Sequence, residues 1–204
     1  MIGASLPSEA NEHGYEIALD EAVANVGPVR FFAGEVLLSR RWSPWSLVMG
    51  TAHAHPGHYV PGESMGEWLG SVELDLLAAP DQVGVVEAVT GAFGSMQLTL
   101  ASVVLRGTAT REDESVAFDV SLELARPLEG IRASTELTTD PTTALLSLDV
   151  AKWLQRVDFS TAVDDDADGT FTFPPTTQAF NALSRAVADT GAYTVVFTRQ
   201  ELHP

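Results

Sequence analysis

Three of the five histidines in this 204-residue chain fall within six residues: His53, His55 and His58, in GTAHAHPGHYVPGE (50–63). On an extended strand, residues i and i+2 point the same way, so His53 and His55 share a face. Pro56-Gly57 then turns the chain and lets His58 swing back toward them. Three neutral imidazoles can meet one cation at about 2.0–2.1 Å. Imidazole suits copper, zinc, nickel or iron. Glu63, Met65 and Glu67 follow closely as further donors. A carboxylate draws such a set toward zinc or iron, and a thioether draws it toward copper. The competing readings are a solvated loop and a pH-sensitive or partner-contact role.

A second cluster lies in DDDADGTFTF (164–173). Asp164, Asp166 and Asp168 stand in a D-x-D-x-D-G frame that ends at Gly169. Alternate carboxylates can wrap a hard cation, the glycine allows a sharp turn, and the Thr170 carbonyl is the next ligand in line. The bidentate acid that closes an EF-hand at its twelfth position is absent, because Pro175 stands there. A solvated acidic turn is the first expectation, since charge runs usually face water. The alternative is a calcium loop of structural role, pinning the crossover between two short helices.

Other chemistries are excluded or weakened. The chain has no cysteine, which removes disulfides, thiolate zinc sites and thiol catalysis. It has no Gly-rich phosphate loop and no G-x-S-x-G elbow. Three histidines around a metal with an open position would suit a hydrolase or hydratase. The H-x-H…E order is similar to the first motif of cupins, but Glu63 lies eight residues beyond His55 and no second motif follows. A His₃ metalloenzyme is therefore the weaker alternative, and no catalytic residue is assigned.

The surface these residues share is strongly acidic. Asp plus Glu number 28 against 11 Lys plus Arg, a formal charge of −17. Such a surface repels nucleic acid and attracts cations and basic protein partners. No run of 18 apolar residues is present, so no transmembrane segment is expected. Residues 1–14 read as a flexible lead without the basic and apolar regions of a signal peptide. That opening suits a tether left after a removed leader or lipid anchor. The expected location is periplasmic, outer-membrane-anchored or secreted.

The elements that must hold these clusters are mainly strands. Strand-forming stretches cover residues 15–23, 27–41, 45–55, 71–79, 83–89 and 95–110. In SVAFDVSLEL (115–124), Val116, Phe118, Val120, Leu122 and Leu124 alternate with polar or small residues, the period of a half-buried antiparallel strand. The charged turn REDE (111–114) joins it to the preceding strand as a hairpin. Residues 142–150 and 192–197 complete the set. Two helices are predicted near the C-terminus. One runs from an Asp149 cap through Trp153 and Leu154, and the other runs over 176–190 from a Thr176 or Thr177 cap. Trp153 falls on a core stripe, while Trp42 and Trp45 flank Pro44, where the expectation is a cap on the sheet and the alternative a stacking surface for sugars. The fold class that follows is mainly β, an antiparallel β-sandwich or jelly-roll-like domain over 15–204 with two short helices near the C-terminus.

The C-terminal stretch LSLDVAKWLQRVDFS…NALSRAV…YTVVF, within residues 140–197, resembles secreted β-sandwich lipoproteins of unknown function from myxobacteria and related bacteria. Those are similar in turn to MbnP-like, methanobactin-associated copper-binding proteins. The resemblance implies a copper site built from His and a modified Trp, and this sequence has no Trp-X-His pair to match it. The reading as a whole is a non-catalytic, extracytoplasmic protein that captures or delivers copper or zinc. The alternative is a structural or adhesion-type surface module with a calcium-stabilised loop.

Overall fold

The computed structural model describes residues 1–33, 62–124 and 126–199. The chain is mainly β, and the described residues form two open sheets and two short α-helices. The strands are β1 (Ile2–Ser5), β2 (Glu16–Phe32), β3 (Ser64–Trp68), β4 (Val72–Asp75), β5 (Glu87–Ala88) and β6 (Gly91–Arg111). They continue with β7 (Glu114–Glu123), β8 (Leu128–Leu137), β9 (Thr142–Asp149), β10 (Thr170–Phe171) and β11 (Tyr193–Arg199). The helices are α1 (Val150–Leu154) and α2 (Gln178–Ala188).

Two long antiparallel strands, β2 and β6, form the spine of the larger sheet. Each is long enough to take two short partners end to end. β2 pairs with β3 and β4, and β6 pairs with β7 and β8. β5 extends the edge at β3, and β10 lies parallel to β7. The smaller sheet has the order β1-β9-β11, with β1 parallel and β11 antiparallel to β9. The inward faces of both sheets form one core, the arrangement of a β-sandwich.

The predicted hairpin at 111–114 is present: β6 ends at Arg111, β7 starts at Glu114, and Glu112 sits at φ 52°. Asp149 caps α1 by accepting from the Lys152 amide, and Thr177 caps α2 by accepting from the Phe180 amide. Trp153 is fully buried. It belongs to the end of the sandwich that α1 and α2 close. An aromatic cluster fills that region, with Phe159 ring centroids 5.3 Å from Tyr15, 5.0 Å from Phe118 and 5.7 Å from Phe173.

The flexible lead expected over 1–14 is corrected. Ile2 is buried, its amide and carbonyl bond to Asp81, and Ile2–Ser5 pairs in register with Leu146–Asp149. A four-residue strand has too few positions to show a period. Its partner lies more than 140 residues away, so nothing local marks it. Residues 27–41 are corrected in part: Gly27–Phe32 continues β2 and does not begin a new strand.

Candidate metal centre

The Asp-rich stretch is held from both sides before it turns. Upstream, a single 3-10 turn at Phe159–Thr161 places Phe159 in the aromatic cluster. Downstream, Thr170 and Phe171 pair with Ala117 and Phe118, and Phe173 is buried. Val163 and Thr172 close the base with two backbone hydrogen bonds, Val163 N to Thr172 O at 3.0 Å and Thr172 N to Val163 O at 2.8 Å. The Thr161 hydroxyl accepts from the Ala179 amide and ties the base to the first turn of α2. A short polar stretch is thus clamped at its neck by apolar anchors.

Inside that neck the carboxylates converge. One oxygen each from Asp164, Asp166 and Asp168 lies within 4.8 Å of the other two. Asp164 is half-buried, while Asp166 and Asp168 are exposed. Two backbone amides orient the set. Gly169 N donates to Asp164 Oδ2 at 3.1 Å, and Thr170 N donates to Asp168 Oδ1 at 2.7 Å. Asp164 Oδ1 is buried and takes part in no hydrogen bond. Gly169 sits at φ +88°, a conformation that side chains resist. It occupies the place where a D-x-D-x-D-G calcium loop needs its sharp turn.

Three like charges this close repel one another in water. An oxygen ligand set of this kind suits a hard divalent cation, which takes carboxylates at about 2.3–2.6 Å when it is calcium. Thr170 stands at the next ligand position, at the start of β10. Sequence reasoning missed Val163 and Thr172, whose pairing closes the loop. Their signal was weak, since each is one β-branched residue just outside the acidic run.

The histidine set fares differently. His53, His55 and His58 lie outside the described residues, as do Trp42 and Trp45. Of the added donors, Glu63 is exposed and its carbonyl accepts from the Ala33 amide at 3.0 Å. Met65 is half-buried against the core, with its methyl beside Gly91. Glu67 is paired with Arg30 at 3.3 Å. Glu67 lies on the outer face of β3 and Trp68 packs inward, while Met65 falls at the register shift where β3 passes Phe31 and Phe32.

No family model matches this chain, and neither the curated proteins nor the solved structures contain a match to it. The resemblance of residues 140–197 to secreted β-sandwich lipoproteins therefore rests on the quoted residues alone. No helix among the described residues is long and apolar enough to cross a membrane.

Proposed function

We propose that this chain is a non-catalytic β-sandwich module, of structural or adhesion type, whose loop at 164–170 is stabilised by calcium. One observation carries the reading: three aspartate carboxylates converge within 4.8 Å at a closed neck. Asp164 Oδ1, buried without a hydrogen bond, supports it, because a buried polar atom without a partner is costly unless something satisfies it. Only three carboxylates contribute, and two are exposed, so the affinity falls in the weak class of extracellular modules, roughly 10⁻⁴–10⁻³ M. Such a site fills only where calcium is abundant, which favours a periplasmic or secreted location. The net charge of −17 favours cations and basic protein partners in the same way.

Calorimetric titration of the metal-stripped chain with calcium tests this. One saturable site is expected, lost in the double variant Asp166→Asn, Asp168→Asn. Absence of calcium heat, or uptake that survives the double variant, ends the reading.

A second reading, copper or zinc capture through His53, His55 and His58, draws on a different observation. The Ala33 to Glu63 hydrogen bond closes the β2–β3 ladder. Ala33 and Glu63, which flank the histidine-bearing stretch in sequence, are thus bonded to each other. Metal analysis of untagged protein separates the two readings. Replacing the three histidines with alanine should abolish stoichiometric copper or zinc uptake and leave the calcium titration unchanged.

A further inference from the structure

The two ends of the sandwich are filled differently. Aromatic rings pack solidly beneath the helices. At the other end, where β1, β9 and β11 face β2, β3 and β6, the sheets enclose a cavity of about 350 Å³ that opens to solvent. Its walls include Val29, Phe31, Trp68, Phe93, Leu146 and Phe197. Phe31 contributes to a small aromatic floor, with centroids 5.9 Å from Phe93 and 6.0 Å from Phe197. Folded interiors rarely leave voids larger than a water molecule. Small-molecule sites run from about 300 to 1,000 Å³.

The mouth is built around Trp68. Its indole passes close to the backbone at Gly70 and Gly84, and a Cβ on either residue would run into the ring. Both glycines thus let the main chain press against the tryptophan and hold it as a fixed wall. Val85, on the same rim, is an apolar side chain left 80% exposed. The polar side chains at the lining are Gln82, Thr142 and Thr143, all neutral. Among the described residues no ionisable side chain lines the cavity, although the chain carries −17.

We propose that this cavity binds a neutral, apolar small molecule bearing at most a hydroxyl or amide-sized polar end. Size and charge both select it. An apolar cavity of about 150 Å³ holds one benzene, so this one scales to roughly 14 non-hydrogen atoms. A long-chain alcohol or a two- to three-ring aromatic has that bulk. The one cationic group at the described lining, the Met1 α-ammonium, is taken up by the Ala144 carbonyl at 2.8 Å, and the surrounding field repels anions. Gln82 and the two threonines can hydrogen-bond a neutral polar end at the mouth. This inference is independent of the calcium and histidine readings.

Titration of the full-length protein with N-phenyl-1-naphthylamine, a neutral probe that brightens in apolar surroundings, tests it. Saturable one-to-one binding is expected. Val195→Trp and Ala144→Phe each place bulk in the cavity and should weaken binding at least tenfold, with circular dichroism unchanged. Thr194→Trp, on the outward face of the same strand β11, should leave binding as it is. In competition, 1-dodecanol should displace the probe at least tenfold better than dodecanoate does at pH 8. Failure of the wild-type chain to bind the probe, or binding unaffected by both filling variants, overturns the proposal. Equal displacement by dodecanoate overturns the neutral-ligand assignment. Probe binding that disappears as the protein dimerises at rising concentration assigns the cavity to a second copy and also overturns it.

Discussion

Asn11 joins the start of the chain to the end of α1 through one side chain. Its Oδ1 accepts from the amides of His13 and Tyr15, each at 3.0 Å. Its Nδ2 donates to the carbonyls of Leu154 at 3.2 Å and Val157 at 2.8 Å. The Leu154 carbonyl is among those a helix leaves without an internal partner at its C-terminus. Asn11→Ala strands the His13 and Tyr15 amides and the Val157 carbonyl, while the Leu154 carbonyl still accepts from the Val157 amide, so a loss of about 2 kcal/mol is expected in urea denaturation. Asn11→Asp should be no better, because a carboxylate cannot donate to the two carbonyls. The turn at Asn11–Gly14 is visible in the sequence as an Asn and a Gly three apart. What it caps lies over 140 residues on, and a sequence carries no sign of that. Tyr193 makes a second residue-scale point. Its hydroxyl donates to the Val187 carbonyl at 2.6 Å, and burial pushes its pKa far above the ordinary value of 10.0. Burial, then the Glu114 hydrogen bond, moves Tyr15 the same way. Above about pH 10 the unfolded chain loses these protons while the folded chain keeps them. Stability is therefore full below that pH and falls as pH rises further. Tyr193→Phe should make the fall shallower in thermal melts between neutral pH and pH 11. An identical slope in the variant would show that the hydroxyl ionises as freely in the fold as outside it.

Among the elements, the strands that were hardest to read are the ones that carry bulges. Gly27-Pro28 looks like a break between two strands, yet β2 runs straight through it. The ladder pairs Val26 with Leu100 and Val29 with Leu98, so two residues stand opposite one. Proline needs no amide partner at a bulge, and this is where a strand tolerates it. β8 escaped notice for a related reason. Leu128 and Gly130 face inward, then Ile131 and Ala133 do, because the register slips opposite Gln97 and Gly130 takes φ 78°. A single extra residue reverses the phase of alternation, and a period-2 reading fails across it. β7, which has no such slip, was legible from its pattern alone. The two short helices were legible because each begins at a capping side chain. The Asp loop was legible in its spacing and not in its closure, which depends on Phe159, Phe171 and Phe173 finding Phe118 on another strand. Its turn can be tested by itself. Nothing stands within 4 Å of a Cβ built on Gly169, so Gly169→Ala meets backbone strain and no clash. The cost should be about 1 kcal/mol, and the calcium-induced rise in Tm should shrink. An undiminished calcium response in that variant would mean the cation does not use this turn.

At the scale of the whole molecule, excess charge and open packing act together. The ion pairs among the described residues lie at the surface: Arg30–Glu67, Arg106 with Glu21 and Asp119, Arg111–Glu114, Lys152–Asp189 and Arg156–Glu12. Exposed pairs of this kind contribute little each, and salt weakens them. The remaining charge is a large excess of carboxylates that repel one another across a sandwich already lacking packing at one end. Salt screens that repulsion over a Debye length of about 10 Å at 0.1 M and 3 Å at 1 M. The two effects oppose, and their sizes decide the sign: a few weak attractions are lost while a net charge of −17 is relieved. Sodium chloride should therefore raise Tm steadily from low ionic strength toward 1 M. The same series in calcium chloride at matched ionic strength should lie above it, by an increment that the Asp166→Asn, Asp168→Asn variant loses. A Tm that falls with sodium chloride would mean that the surface pairs outweigh the net repulsion. Coincident sodium and calcium curves would mean that the acidic loop responds to ionic strength alone.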